Sequence, residues 1–296
     1  MTLRRSTATR LALAAAVAVL VASGAAGQAR HSFIWRVQSG SSVMYLAGSV
    51  HALTAAAYPL NPAYQRAYDA SGALVEEIDL AEADPLTGGT GLLAKGMFQD
   101  GRTFDQVVSK QTLALVTERL KGTPLPVELI RTMKPWMVDM MLTALDVQKA
   151  GLDVEFGLDK HFFDRASAAG KQLIALETAE SQVDRMDRMP LDVQEQMLLA
   201  SLKEQDAAAK ALAQIVALWK RGDAATLEKS LLSDFDGFPA AYQSLVVERN
   251  RNWMPQLDAC LARPTPCFVV VGAAHLVGPD GLLTMLQKKG YRIEQQ

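Results

Sequence analysis

Two histidines stand in the same setting at opposite ends of the chain. Residues 43–51 read Val-Met-Tyr-Leu-Ala-Gly-Ser-Val-His, and residues 267–275 read Cys-Phe-Val-Val-Val-Gly-Ala-Ala-His. In each, an apolar β-prone run ends in Gly, two residues pass, and His follows. The chain holds four His and 20 Gly in 296 residues, so a Gly three places before two of the four arises by accident in roughly 3% of such chains. The spacing predicts two equivalent strand–turn–His units, each Gly letting the chain leave its strand in a conformation closed to residues with a Cβ. His51 and His275 then lie just beyond strand ends, where open α/β sheets place their ligands. Two neutral imidazoles converging there with at least one carboxylate can hold a divalent metal.

The local source of that carboxylate is the segment 73–80, Ala-Leu-Val-Glu-Glu-Ile-Asp-Leu, which reads as a strand. Side chains alternate across a strand, so Glu76 shares a face with Leu74 and Ile78, and Glu77 shares one with Val75 and Asp79. Acids inside an apolar strand are costly unless paired or bound to a cation. The plain alternative is an edge strand with one solvated face. A second polar group, Glu248-Arg-Asn-Arg-Asn-Trp253, falls shortly before the second His unit. Glu248 and Arg249 are candidates to reach His275; the alternative is surface charge on a helix.

The elements that must position these residues follow in order. Residues 33–38 and 43–47 read as a hairpin. Asn61-Pro62 starts a helix over 62–70. Residues 82–100 are Gly-rich and loop-like, a candidate cover for the site. Helices are predicted over 111–121, 135–150 and 159–169, the second with Met137, Met140, Met141 and Leu145 on a buried stripe. His161 on the third reads as a surface or packing residue, and His31 as part of a loose terminus. A short strand at 171–175 precedes Thr178, a helix cap. Residues 179–260 are almost wholly helical in pattern, broken at Pro190, Gly222-Asp223 and 236–239. A central strand at 268–271, a turn at 278–281, a helix to Lys289 and a last strand at 291–293 close the chain. The expected fold is mixed α/β: a central sheet carrying the two Gly-X-X-His strand ends, with a large, mainly helical insertion at about 110–260. Residues 30–296 read as a single domain.

Residues 1–29 have the pattern of a bacterial signal peptide: Arg4, Arg5 and Arg10, an Ala-rich apolar run at 11–22, then Gly27-Gln-Ala29. The run is too short for a comfortable membrane span, which predicts export to the periplasm or beyond and no stable span after cleavage, a retained anchor being the alternative. Cleavage removes three Arg and no acid, taking the net charge from −2 to −5, 27 basic against 32 acidic residues. A mildly acidic chain without a basic run is a poor nucleic-acid binder. The two Cys, Cys260 and Cys267, are predicted to form a disulfide in an oxidising compartment.

These residues carry a resemblance. Leu46-Ala-Gly-Ser-Val-His51, the acidic strand ending Glu77-Ile-Asp-Leu80, Lys134-Pro-Trp136, Gly157-Leu-Asp159, Leu176-Glu-Thr178 with Gln182, Glu248-Arg-Asn250 with Trp253, and Gly272-Ala-Ala-His-Leu276 with Gly278 and Gly290-Tyr291 resemble the TraB/GumN family. That family is related to TIKI-type metalloproteases and, more distantly, to the erythromycin-esterase/ChaN-like group. The resemblance implies a divalent-metal site, manganese or cobalt in TIKI-type members, with His51 and His275 as ligands. Glu77 aligns best with the acidic position and Glu76 competes with it. Arg249 and Glu248 would support the site or orient the substrate.

The resulting expectation is an exported hydrolase acting on peptide or protein substrates. It would use manganese, cobalt or zinc to polarise a carbonyl and activate water, with Glu76 or Glu77 taking the proton and Arg249 stabilising the oxyanion. The alternative is a binding protein that holds a peptide signal or a haem in the same cleft without turnover.

Overall fold

The computed structural model describes residues 31–83, 90–121, 123 and 125–296. Residues 1–29, where a signal peptide is expected, and part of the Gly-rich stretch at 82–100 lie outside these residues. The described part of that stretch is not all loop, for Thr90–Lys95 is helical. Six strands form one mixed sheet: β1 (Ile34–Ser39), β2 (Ser42–Ser49), β3 (Ala73–Glu76), β4 (Gln172–Ala175), β5 (Cys267–Gly272) and β6 (Arg292–Gln295). Their order is β4-β3-β5-β2-β1-β6. β1 and β2 are the expected hairpin, turning at Gly40 with φ +56°. β2, β5, β3 and β4 run parallel, and β1 is antiparallel to both of its neighbours.

The apolar run Cys-Phe-Val-Val-Val-Gly makes β5 the buried centre, sandwiched between β3 and β2. A strand covered on both faces needs apolar residues in succession rather than alternation. β3 obeys the same rule and corrects two expectations. All four of its residues are buried and it lies between β4 and β5, so it is no edge strand. It ends at Glu76, four residues short of the predicted end.

Helices of seven residues or more pack around the sheet and beside it: α1 (Pro62–Asp69), α2 (Lys110–Leu120), α3 (Pro135–Lys149), α4 (Leu158–Ala168), α5 (Ala179–Asp187), α6 (Leu191–Lys220), α7 (Ala224–Ser233), α8 (Glu248–Leu261) and α9 (Leu282–Lys288). The Asn61 side chain accepts from Ala63 N at 2.9 Å to start α1, and Thr178 caps α5 by accepting from Ser181 N at 3.1 Å. Among the described residues no helix is long and apolar enough to cross a membrane.

Two apolar clusters result. One surrounds the sheet and includes Phe33, Leu46, Val75, Phe162, Trp219, Trp253 and Phe268. The other lies among helices and holds Phe104, Val116, Ile130, Val138, Leu142, Leu198 and Leu202. α6 belongs to both. Its 30 residues extend about 45 Å at the α-helical rise, and at its far end Trp219 Nε1 donates to Gly48 O at 2.7 Å. The stripe on α3 packs in part as expected: Met137, Met141 and Leu145 lie partly buried against the helical cluster beside the buried Trp136, Val138 and Leu142, while Met140 is 48% exposed. Cys260, near the end of α8, is paired as a disulfide with Cys267, the first residue of β5; their Cα atoms lie 5.8 Å apart.

Candidate functional site

β2 and β5 are parallel neighbours with Ser49 level with Gly272, so the two segments that follow leave the sheet side by side. The glycines act differently from the turn role that spacing implied. Neither Gly48 nor Gly272 has a positive φ. They are instead places of close approach. A Cβ on Gly48 would stand 2.3 Å from the Phe33 ring. A Cβ on Gly272 would lie 3.2 Å from Glu77 Oε1, 3.4 Å from His51 Nε2 and 3.6 Å from His275 Cδ2. The bare Cα of Gly272 is thus the floor of a small cradle ringed by both histidines and one carboxylate.

Each imidazole is oriented from behind. His51 Nδ1 is 2.8 Å from Asp159 Oδ2, and Asp159 Oδ1 also accepts from Ser49 Oγ at 3.2 Å. Asp159 stands in the first turn of α4, and Gly157 before it lets that helix start close against the chain at His51. A Cβ on Gly157 would be 2.4 Å from His51 O. His275 Nδ1 is 2.7 Å from Asn250 Oδ1, while Asn250 Nδ2 donates to His275 O at 3.1 Å and Asp280 O at 2.9 Å. Because Asn250 donates through its nitrogen, its oxygen accepts, so His275 carries its proton on Nδ1 and offers the Nε2 lone pair. Trp253 packs on the same ring with centroids 4.5 Å apart.

Glu77 is held by donors on three sides. Gly272 N donates to Oε1 at 2.6 Å, Gln182 Nε2 to Oε2 at 3.0 Å, and Arg249 Nη2 also to Oε2. Arg249 further donates Nη1 to His275 Nε2 at 2.9 Å and to Leu245 O at 3.1 Å, and Nε to Glu177 Oε1 at 2.7 Å. The Leu245 carbonyl belongs to a π-helical turn, Gln243–Val247, immediately before α8; such wide turns recur at functional sites.

These surroundings set the charges. Burial works against ionised Glu77, but His275, Arg249 and His51 and the Gly272 N–H outweigh it and hold its carboxyl down at about 2. Burial pushes the His275 imidazolium value down to about 3, Arg249 adding to the effect and Glu77 opposing it. Asp159 raises His51 against the effect of burial; water screens that pair, since 63% of the His51 side chain is exposed. Glu76, 5% exposed, is pushed up to about 9 by burial and then by Asp159, Glu77 and Asp79. In this arrangement neither acid is a ready base at neutral pH: Glu77 is a fully engaged anion and Glu76 keeps its proton.

The structure thus links His275, Glu77 and Arg249 by hydrogen bonds, sets His51 near them over Gly272, and places Glu76 in the same cleft, a space of about 330 Å³ reaching from Gly272 past Ile78, Leu80 and Val154. Glu248 is a correction. One residue before Arg249, it turns away and takes Arg185 Nη1 at 3.0 Å with 49% of its side chain exposed. Alternation also fails for the acid pair, because the chain leaves β3 after Glu76 and Glu77 turns over the end of the sheet. Asp159, Glu177 and Gln182 were given no role by sequence reasoning, their only signal being membership of the stretches that carry the family resemblance; Asn250 lay in the polar group 248–253 expected near His275 but was given no role of its own. His161 packs between Tyr58 and Phe162 as a packing residue. His31 is exposed, but its carbonyl lies against Gly222.

The comparisons bear on this cluster. The TraB/PrgY/gumN family description matches residues 33–295, which takes in every strand and every residue of the site. The chain belongs to the TraB/PrgY/gumN family. Within it, the chain is 27% identical over 248 residues to "Uncharacterized protein YbaP" of Escherichia coli (strain K12), covering 84% of this chain and 89% of the relative. A Shigella flexneri protein of the same description matches equally. No solved structure matches.

Whether a metal suits this TraB/PrgY/gumN site can be judged from the donors. Among the described residues no group of three His, Cys, Asp or Glu is arranged to hold a metal ion, and Arg249 takes up both His275 Nε2 and Glu77 Oε2. The donors nevertheless fit in kind. Two imidazoles with oriented Nδ1 partners and one ionised carboxylate are a divalent-metal set with its supporting hydrogen bonds. They surround a cradle that a single Cβ would fill, and Arg249 supplies the positive charge there.

Proposed function

We propose that this chain is an exported, metal-dependent hydrolase acting on peptide bonds. The observation that carries the reading is the meeting of two oriented imidazoles and one ionised carboxylate over the bare Cα of Gly272. His51, His275 and Glu77 would hold a divalent metal: manganese, cobalt or zinc. Bound there, the metal would lower the pKa of a water and polarise the scissile carbonyl. Asp159 and Asn250 fix the imidazoles, which keeps the Nε2 lone pair of His275 unprotonated. Gln182 and the Gly272 N–H hold Glu77 ionised. Arg249 is a permanent cation at the site and can pair with an oxygen that gains negative charge. Export rests on the signal-like residues 1–29, with the periplasm as destination.

One observation favours a second reading. Neither Glu76 nor Glu77 is poised to take a proton near pH 7, as hydrolysis would ask. A binding protein that holds a peptide in the cleft and releases it unchanged needs no such base. Elemental analysis separates the two. The protein from residue 30 onward, purified without a histidine tag, is compared with the His51→Ala/His275→Ala double variant. About one equivalent of transition metal, lost in the double variant together with peptide turnover, supports the hydrolase. No metal after incubation with manganese, cobalt or zinc, and no turnover, overturns it in favour of the binding protein.

A further inference from the structure

The cleft that opens from the Gly272 cradle has charged and apolar parts. Its charged side chains are taken up with one another or buried. Glu77 is held by Arg249, His51 faces Asp159, and Lys160 Nζ lies 2.6 Å from Asp164 Oδ2 and 3.6 Å from Glu155 Oε2. Glu76 is 5% exposed. What the cleft leaves open beside the cradle is apolar: Ile78 and Leu80, on the chain leaving β3, are half-buried, and Val154 is 58% exposed. Single apolar residues on a surface are ordinary. Three from two separate segments lining one concavity next to a polar cluster are the usual make-up of a ligand site. The sheet ties this wall to the cradle. Val270, beneath the wall, lies two residues before Gly272, so both face the same side of β5 about 7 Å apart. One bulky side chain, reaching from a backbone over Gly272, covers that span with its contact distance.

We infer that Ile78, Leu80 and Val154 form a subsite for a bulky apolar side chain, leucine-like in size, of a peptide whose backbone lies over Gly272. A polar side chain placed there would give up water for no partner. An acidic one would also face Glu77 and Asp159, and a basic one would find those carboxylates already paired with Arg249 and His51. The subsite rests on a peptide being the ligand of this cleft, whether cleaved or only held. Val154 is the wall residue to change, because it belongs to neither His unit nor the acidic segment and stands mostly in water.

The test is binding without catalysis. Nα-acetyl-leucine amide and Nα-acetyl-asparagine amide, alike in shape and opposite in polarity, are titrated into wild-type protein, Val154→Ser and Val154→Ile, followed by ligand-observed NMR. Wild type is expected to bind the leucine compound at least tenfold more tightly, near the lower end of what full burial of a leucine side chain gives. Val154→Ser should cut this ratio at least threefold, and Val154→Ile should keep it. A ratio under threefold in wild type, binding of neither compound, or a ratio that Val154→Ser leaves unchanged overturns the subsite. Failure of the hydrolase reading shows separately, as absent metal and turnover with the leucine preference intact.

Discussion

Replacing Glu76 by Gln removes one titration from the core and almost nothing else, because the two side chains have the same shape. The ordinary glutamate value of 4.5 is pushed up to about 9 in the folded protein, chiefly by burial. A group whose folded value is raised favours the folded state fully only below its unfolded value. Its contribution is then lost as pH climbs from about 4.5 towards 9, at about 1.4 kcal/mol for each unit. Wild type therefore carries a cost of under about 1 kcal/mol at pH 5 and about 3 kcal/mol at pH 7, a large share of a typical total of about 5–15 kcal/mol. Glu76→Gln carries none of it. Urea unfolding of both proteins at pH 5, 6, 7 and 8 measures the difference, in which all other titrating groups cancel. The variant should match wild type closely at pH 5 and gain on it steadily above. A difference that stays flat from pH 5 to pH 8 would refute the argument that Glu76 is buried and neutral.

Arg249→Leu should destabilise the fold by about 3–5 kcal/mol, since it leaves Glu77 and Glu177 buried beside each other without their shared cation; chemical denaturation at pH 7 measures it, and Arg249→Lys should recover only part. Gly48→Ala should lower stability by about 1–3 kcal/mol through collision with the Phe33 ring. Because that collision would press on the β2 end that leads to His51, a drop in thermal midpoint should be accompanied by weaker metal retention.

The sheet and its two histidines were legible because their signals are local. Each His follows an apolar strand, and the central strand Cys267–Gly272 is a continuous apolar run. The choice between Glu76 and Glu77 was not legible, since the strand ends at Glu76 and alternation does not govern the residue that follows. The partners of the imidazoles were hidden for a different reason. Asp159 reaches His51 from 108 residues away, with no neighbour in sequence that marks it as polar support, and Asn250 reaches His275 from a separate helix, one of several polar residues in 248–253 that the sequence does not rank. Glu248 misled because a helix turns about 100° per residue, so one of two adjacent charges faced the site and the other faced water.

α6 has a consequence for how this chain can vary in length. Loops absorb insertions, but a deletion of one residue inside a helix rotates everything beyond it by about 100° and shortens it by about 1.5 Å. Leu198 and Leu202 sit in one apolar cluster and Trp219, fastened to the Gly48 carbonyl, in the other. The segment between them is in effect a counted spacer. Natural relatives that keep both ends should differ in this helix by substitution, or by whole turns matched elsewhere, and should confine single-residue gaps to the joints at Pro190 and Gly222.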